Sequence, residues 1–259
     1  MDKSFLDKIT AKWDEGKFVC VGLDKGEFEF DKTIIDQTFD LVCAYKPQSA
    51  FYEAGGSAGL EDLKKTIDYI HQNHPDIPVI LDAKRGDIGN TNEIYAKAIF
   101  DDLGADAVTV SPYLGKESLE PFLKRADKGI IVLVKTSNPG AGEFQDLQVE
   151  DPERSRMGKP LYQIIAQHIA DNWNTNNNCA VVVGATYPEE LKKVREIVGE
   201  MPILVPGIGA QGGDLEDTIK NGLNSKKQGI IISSSRGIIF APDPRQAALK
   251  LHQDIKKLL

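Results

Sequence analysis

The sequence predicts an α/β fold, a (β/α)8 TIM barrel forming one domain over residues 1–259, and three features of the chain lead there. Eight short apolar runs rich in Val and Ile alternate with eight amphipathic stretches of helical period, besides an opening helix. The runs are almost continuously apolar, as parallel strands are when helices cover their outer face. Charged and polar residues gather where most of these runs end, which is where a barrel of this kind carries its functional groups. A length of 259 residues, 41% of them hydrophobic, suits one large core in the usual size range of the fold. A doubly wound open sheet is the competing arrangement, but the Gly-x-Gly-x-x-Gly turn expected after its first strand is missing.

In chain order, a helix near Ser4 to Glu15 leads to the strand Phe18 to Leu23, and a helix around Asp31 to Phe39 leads to the strand Leu41 to Lys46. A long helix from about Leu60 to Asn73 precedes the third strand, which opens with the apolar run Pro78-Val79-Ile80-Leu81. Next come a helix near Thr91 to Leu103, the strand Ala107 to Ser111, a helix from Lys116 to Arg125 and the strand Ile130 to Lys135. The longest irregular segment, Thr136 to Lys159, is rich in Gly, Pro and charge from Asn138 onward and reads as a lid over a ligand. A helix to about Trp173 and the strand Cys179 to Gly184 follow. The chain ends with a helix near Pro188 to Val198, the strand Pro202 to Pro206, a helix from Asp214 to Asn221, the strand Gly229 to Ser233 and a helix from Pro244 onward.

The third strand organises the chemistry. It runs into Asp82-Ala83-Lys84-Arg85-Gly86-Asp87, four charges of mixed sign within six residues. Side chains two apart in a strand share a face, so Asp82 and Lys84 point the same way, and a turn at Gly86 would bring Asp87 back beside Lys84. A solvated salt-bridge cluster would contribute little, and the run that carries these charges is too apolar for an exposed edge. Asp24, Lys46, Ser111 and Lys135-Thr136-Ser137 end other strands. After the seventh strand, Pro206-Gly207-Ile208-Gly209-Ala210-Gln211-Gly212-Gly213 lets backbone N–H groups approach an anion; after the eighth, Ser235-Arg236-Gly237 opens a short helix and adds a guanidinium. Together with Gln211 these describe a phosphate site at the place such barrels build one.

A net charge of −8 argues against general affinity for nucleic acid or anionic membrane, so a bound anion must be held locally. No apolar run approaches the roughly 18 residues of a membrane helix, and Met1-Asp2-Lys3-Ser4-Phe5 does not read as a secretory signal. A cytoplasmic location is expected. Cys20, Cys43 and Cys179, without paired spacing and each in an apolar run, read as buried reduced thiols. His71, His74, His168 and His252 join no charged cluster in sequence, so neither histidine catalysis nor a metal site is expected.

The set Asp82-x-Lys84-x-x-Asp87-Ile88 with Thr91, preceded by Asp24 and Lys46 and followed by the glycine-rich segment and Arg236, resembles the orotidine 5′-phosphate decarboxylase family from the first strand to the last. Asp82 to Asp87 together with Thr136-Ser137-Asn138-Pro139-Gly140 is similar to its longer, bacterial-type branch. The resemblance implies conversion of orotidine 5′-phosphate to uridine 5′-phosphate (UMP) and CO2 without a cofactor, the last step of UMP synthesis. It implies that Lys46 completes an alternating charge array, that Lys46, Asp24 and Thr91 reach the ribose hydroxyls, and that Ser137 bonds the pyrimidine. It further implies a homodimer with shared active sites, Asp87 and Thr91 reaching the partner's site. Lys84 suits the roles of cation and proton donor at the carbon that loses CO2, with Asp82 and Asp87 keeping its ammonium charged. Magnesium-dependent sugar-phosphate enzymes of the same barrel group carry a similar Asp-x-Lys-x-x-Asp, but with a carboxylate where this chain has Lys46. A catalytically silent nucleotide-binding regulator would have no use for the intact set Lys46, Asp82, Lys84 and Asp87.

Overall fold

The computed structural model describes residues 3–150, 158–208 and 212–259. Eight parallel strands form one sheet: β1 Val19–Leu23, β2 Val42–Pro47, β3 Ile80–Arg85, β4 Ala107–Val110, β5 Gly129–Lys135, β6 Cys179–Val183, β7 Ile203–Pro206 and β8 Ile230–Ser234. Their spatial order is β2-β1-β8-β7-β6-β5-β4-β3, so each strand lies beside its neighbours in sequence. The two ends of the sheet meet through the bridges Tyr45–Val79 and Gln48–Asp82, and the Tyr45 N–H donates to the Pro78 carbonyl at 3.1 Å. This contact closes the barrel, and it brings Gln48 against Asp82.

Every residue of β1, β2, β4, β6 and β8 is buried. Helices cover one face and barrel side chains fill the other, so a single wet face never forms and the apolar runs do not alternate. Ser4 caps the helix Phe5–Asp14 in a reciprocal arrangement with Asp7. That helix crosses the barrel at the strands' N-terminal ends, where the Trp13 indole N–H donates to the Ile230 carbonyl at 2.9 Å. Nearby, Lys8, His71 and the Val79 N–H converge on Asp106 at 2.7, 2.9 and 2.8 Å. His71 therefore does join a charged cluster, contrary to the sequence reading. It ends a helix that runs antiparallel to the strands, so it lies at the end of the barrel opposite the polar strand termini and ties helix to sheet. The three cysteines are buried and unpaired, as expected.

The helices differ from expectation mainly at their ends. The helix expected from Leu60 begins at Gly56, and a short helix, Ser49–Glu53, precedes it. The helix after β3 starts at Gly89 and gives way to a π-helical turn at Lys97–Asp102; the helix Leu161–His168 does the same at Ile169–Trp173. The segment after β5 is less irregular than its composition suggests. It contains a 3-10 turn at Pro139–Ala141, a helix at Gly142–Gln145 and an antiparallel pairing of Gln148–Val149 with Lys159–Pro160. The expected lid falls partly on residues 151–157, outside the described residues. Among the described residues no helix is long and apolar enough to cross a membrane.

Candidate active site

A cavity of about 530 Å³ opens at the C-terminal ends of the strands. Leu133, Val182 and Leu204 give it one apolar wall; Asp24, Lys46, Asp82 and Lys84 line the charged side, and Ser137, Ser235 and Arg236 complete the mouth. Seven of the residues singled out in the sequence thus converge on one space.

Asp82 is the hub. Its Oδ2 accepts from Lys46 Nζ at 3.0 Å and from Gln48 Nε2 at 3.1 Å, while its Oδ1 accepts from Lys84 Nζ at 2.7 Å and from the Thr109 hydroxyl at 2.8 Å. Burial alone would push this carboxyl up, but the Lys46 and Lys84 ammonium groups and the Lys84 and Thr109 hydrogen bonds outweigh it, holding Asp82 well below the usual carboxylate range. Burial likewise favours neutral Lys46, yet Asp82 and Asp24 prevail and raise it above an ordinary lysine. Lys46 is only 6% exposed, whereas nearly half of the Lys84 side chain is open to the cavity. The array is therefore one anion held between two cations, of which Lys84 is presented to a ligand.

The backbone beneath Lys84 is irregular. Lys84 adopts φ +45°, a left-handed conformation uncommon for any residue but glycine. The register of β3 against β4 jumps between Leu81, opposite Val108, and Arg85, opposite Val110. Four residues of β3 thus advance against two of β4, a bulge that re-aims side chains at the strand's end. Beyond it the chain does not fold Asp87 back beside Lys84 as the turn at Gly86 suggested. Asp87 is exposed, its Oδ1 accepts the adjacent Ile88 N–H at 2.7 Å, and Asn92 holds its backbone from both sides. These contacts start the next helix and turn the carboxylate to the rim. Asp87 and Thr91 do not line the cavity within this chain.

Just beyond β1, Ser235 donates to Asp24 Oδ2, and Asp24 Oδ1 is buried with no partner among the described residues. This close approach requires Gly22, because a Cβ there would lie 2.2 Å from the Ser235 hydroxyl. Arg236 is exposed at the start of the helix Arg236–Ile239, and its side chain forms no hydrogen bond or ion pair among the described residues. Across from it the loop after β7 turns at Gly207 with φ +105°, and the Gly213 N–H returns to the Gly207 carbonyl at 3.1 Å. Gln211 lies outside the described residues. Ser137 sits at the cavity edge, where Gln145 brackets its neighbour Thr136, accepting from its N–H at 3.0 Å and donating to its hydroxyl at 2.9 Å. No group of three or more His, Cys, Asp or Glu side chains among the described residues is placed to hold a metal ion.

Comparison with known proteins points to one family. Residues 17–251 match the model of the orotidine 5′-phosphate decarboxylase / HUMPS family. The chain belongs to that family. A relative named orotidine 5′-phosphate decarboxylase, from Cupriavidus metallidurans, is 46% identical over 261 residues, covering 95% of this chain and 93% of its own. The solved structure of the Leishmania donovani OMP decarboxylase superposes with a TM-score of 0.90 at 39% identity, covering 98% of both chains. The UMP synthase of Leishmania donovani matches with a TM-score of 0.93 at 40% identity over 99% of this chain, which spans 56% of that longer protein.

Three members of this site went unread in the sequence. Thr109 lies inside the apolar run Ala107–Val110, where threonine is an ordinary strand former. Gln145 belongs to a segment expected to be irregular. Gln48 carried a usable signal, because it lies two residues beyond Lys46 and so falls on the same face.

Proposed function

We propose that this chain decarboxylates orotidine 5′-phosphate to UMP and CO2, a step of pyrimidine nucleotide synthesis, with lysine ammonium groups as the cations at the reacting carbon. The observation that carries the reading is the Lys46–Asp82–Lys84 array, opening into the same cavity as Arg236 and the Gly207 loop. The substrate phosphate lies at Arg236, Ser235 and Gln211, where a guanidinium and free backbone N–H groups can bond it. The ribose hydroxyls meet Lys46, Asp24 Oδ1 and Thr91 from a second copy of the chain, and Ser137 bonds the pyrimidine against the apolar wall. The ring carbon bearing the carboxylate then lies over Lys84.

As the bond from that carbon to the carboxylate breaks, its electron pair stays on the ring and CO2 departs. The fixed Lys84 ammonium stabilises the developing carbanion and gives it a proton; solvent at the half-open side chain restores the lysine. Asp82 serves by staying ionised: it keeps two ammonium groups charged and in place, so that little reorganisation is needed when the carbanion forms. Asp87 supplies a second anion, near the departing carboxylate.

That anion comes from a second copy of the chain, in a homodimer with shared sites. Two features support this. Asp87 is turned away from the cavity of its own barrel, and the rim that carries it exposes Ile88, Ile94, Tyr113 and Leu114, with Tyr113 83% exposed. Apolar side chains clustered there fit a covered face. Turnover of orotidine 5′-phosphate in the presence of EDTA tests the reaction: its characteristic absorbance should disappear at an unchanged rate. A rate that falls with EDTA and returns with magnesium would instead place the chain with metal-dependent sugar-phosphate chemistry.

A further inference from the structure

The structure assigns to Thr109 the role of positioning residue for Lys84, an inference that rests on the proposed decarboxylation. Lys84 stands on a bulge and in a left-handed conformation, so regular strand pairing does not fix it. What fixes it is one hydroxyl. Thr109 Oγ1 accepts the Lys84 backbone N–H at 3.0 Å and donates its single proton to Asp82 Oδ1 at 2.8 Å, the same oxygen that holds Lys84 Nζ at 2.7 Å. Lys84 is thereby gripped at both ends, its backbone directly by Thr109 and its ammonium through a carboxylate that Thr109 orients. Thr109 is 1% exposed, so water does not substitute for either bond. The bulge explains why the group must be a side chain. With Val108 opposite Leu81 and Val110 opposite Arg85, the ladder skips Lys84, and the residue of β4 between those two partners is Thr109.

Removing the hydroxyl at constant volume leaves the Lys84 N–H without an acceptor and Asp82 with three donors in place of four. The ammonium loses its aim while the binding surfaces for phosphate, ribose and pyrimidine persist. Thr109→Val should therefore lower kcat by about 10- to 100-fold while UMP affinity stays within about threefold of wild type. Thr109→Ser, which restores the hydroxyl, should recover most of kcat, and Thr109→Ala serves in place of the valine variant should that fail to fold. Hydrogen exchange at the Lys84 amide, read in the same proteins without substrate, should be slow in wild type and Thr109→Ser and fast in the variants lacking the hydroxyl. Equal exchange in all of them would overturn the assignment, as would a kcat in Thr109→Val within about twofold of wild type. It would equally be overturned if kcat, UMP affinity and melting temperature fell together without rescue by serine, the pattern of a packing residue. If wild type itself leaves orotidine 5′-phosphate unchanged, the proposed function falls, and the exchange comparison still decides whether Thr109 holds Lys84.

Discussion

Two buried carboxyl groups in this barrel have opposite fates, and the difference is whether a cation is present. Asp82 faces two lysines and remains an anion; Asp31, fully buried on the inner face of the helix Phe28–Thr38, has no cation beside it among the described residues. Its Oδ2 accepts from the Tyr52 hydroxyl, and at 3.5 Å from Thr66, while its Oδ1 has no partner among the described residues. Burial, only partly offset by these hydroxyls, pushes Asp31 up to about 7. The stability consequence follows from linkage. Below about pH 4 both folded and unfolded states hold the proton; between about pH 4 and 7 only the folded state does, so stability falls as pH rises through that window and levels off above it. Removing the ionisation with Asp31→Asn should abolish this fall, worth on the order of 2 to 4 kcal/mol. Urea unfolding of both proteins at pH 4.5 and at pH 7.5 measures it; parallel pH dependences would show that Asp31 ionises in the folded state as readily as in the unfolded one.

Among the elements, those legible in the sequence are the ones whose ends are set by local chemistry. The helix Pro188–Val198 has the ends predicted for it, because proline suits a first helical turn and Gly199, at φ +59°, ends the last. The helix Ser49–Glu53 was missed because Ala54-Gly55-Gly56-Ser57 reads as a loop while its neighbours pack on the barrel all the same. The β3 bulge has no local sequence sign, since it arises from pairing with β4, and with it went the placement of Asp87 and the importance of Thr109. The phosphate end was legible as composition: glycine where the chain turns back, serine and arginine where the last strand stops. At that end Arg236→Ala should lower kcat/KM by an amount equivalent to about 2 to 4 kcal/mol, the scale of lost charge-assisted bonds. Steady-state kinetics measure this; an unchanged kcat/KM would remove Arg236 from the substrate's path.

For the molecule as a whole, eight closed strands account for why charges separated by up to 212 positions, from Asp24 to Arg236, meet at one mouth. That convergence was readable from strand ends alone. What sequence periodicity could not show is which rim residues face their own cavity and which face outward, since this depends on how each loop leaves its strand. The dimer proposal turns that distinction into a complementation test. Chains carrying Lys84→Ala and chains carrying Asp87→Ala are each inactive alone, yet a mixed dimer has one site lacking both groups and one site with both restored. With random exchange half the dimers are mixed, so about a quarter of wild-type activity should return. Absence of recovery after exchange verified by mass spectrometry would mean that Asp87 acts within its own barrel.

The central claim, that Lys84 acts on charge present only in the transition state, is tested most directly by Lys84→Ala in a paired measurement of kcat and UMP affinity. Loss of an interaction made only in the transition state lowers kcat and leaves ground-state binding largely intact. The expected result is no measurable turnover with UMP bound about as tightly as by wild type. A variant that keeps as much as about a tenth of wild-type kcat would contradict the account, because a residue supplying both the stabilising cation and the proton cannot be removed at so small a cost.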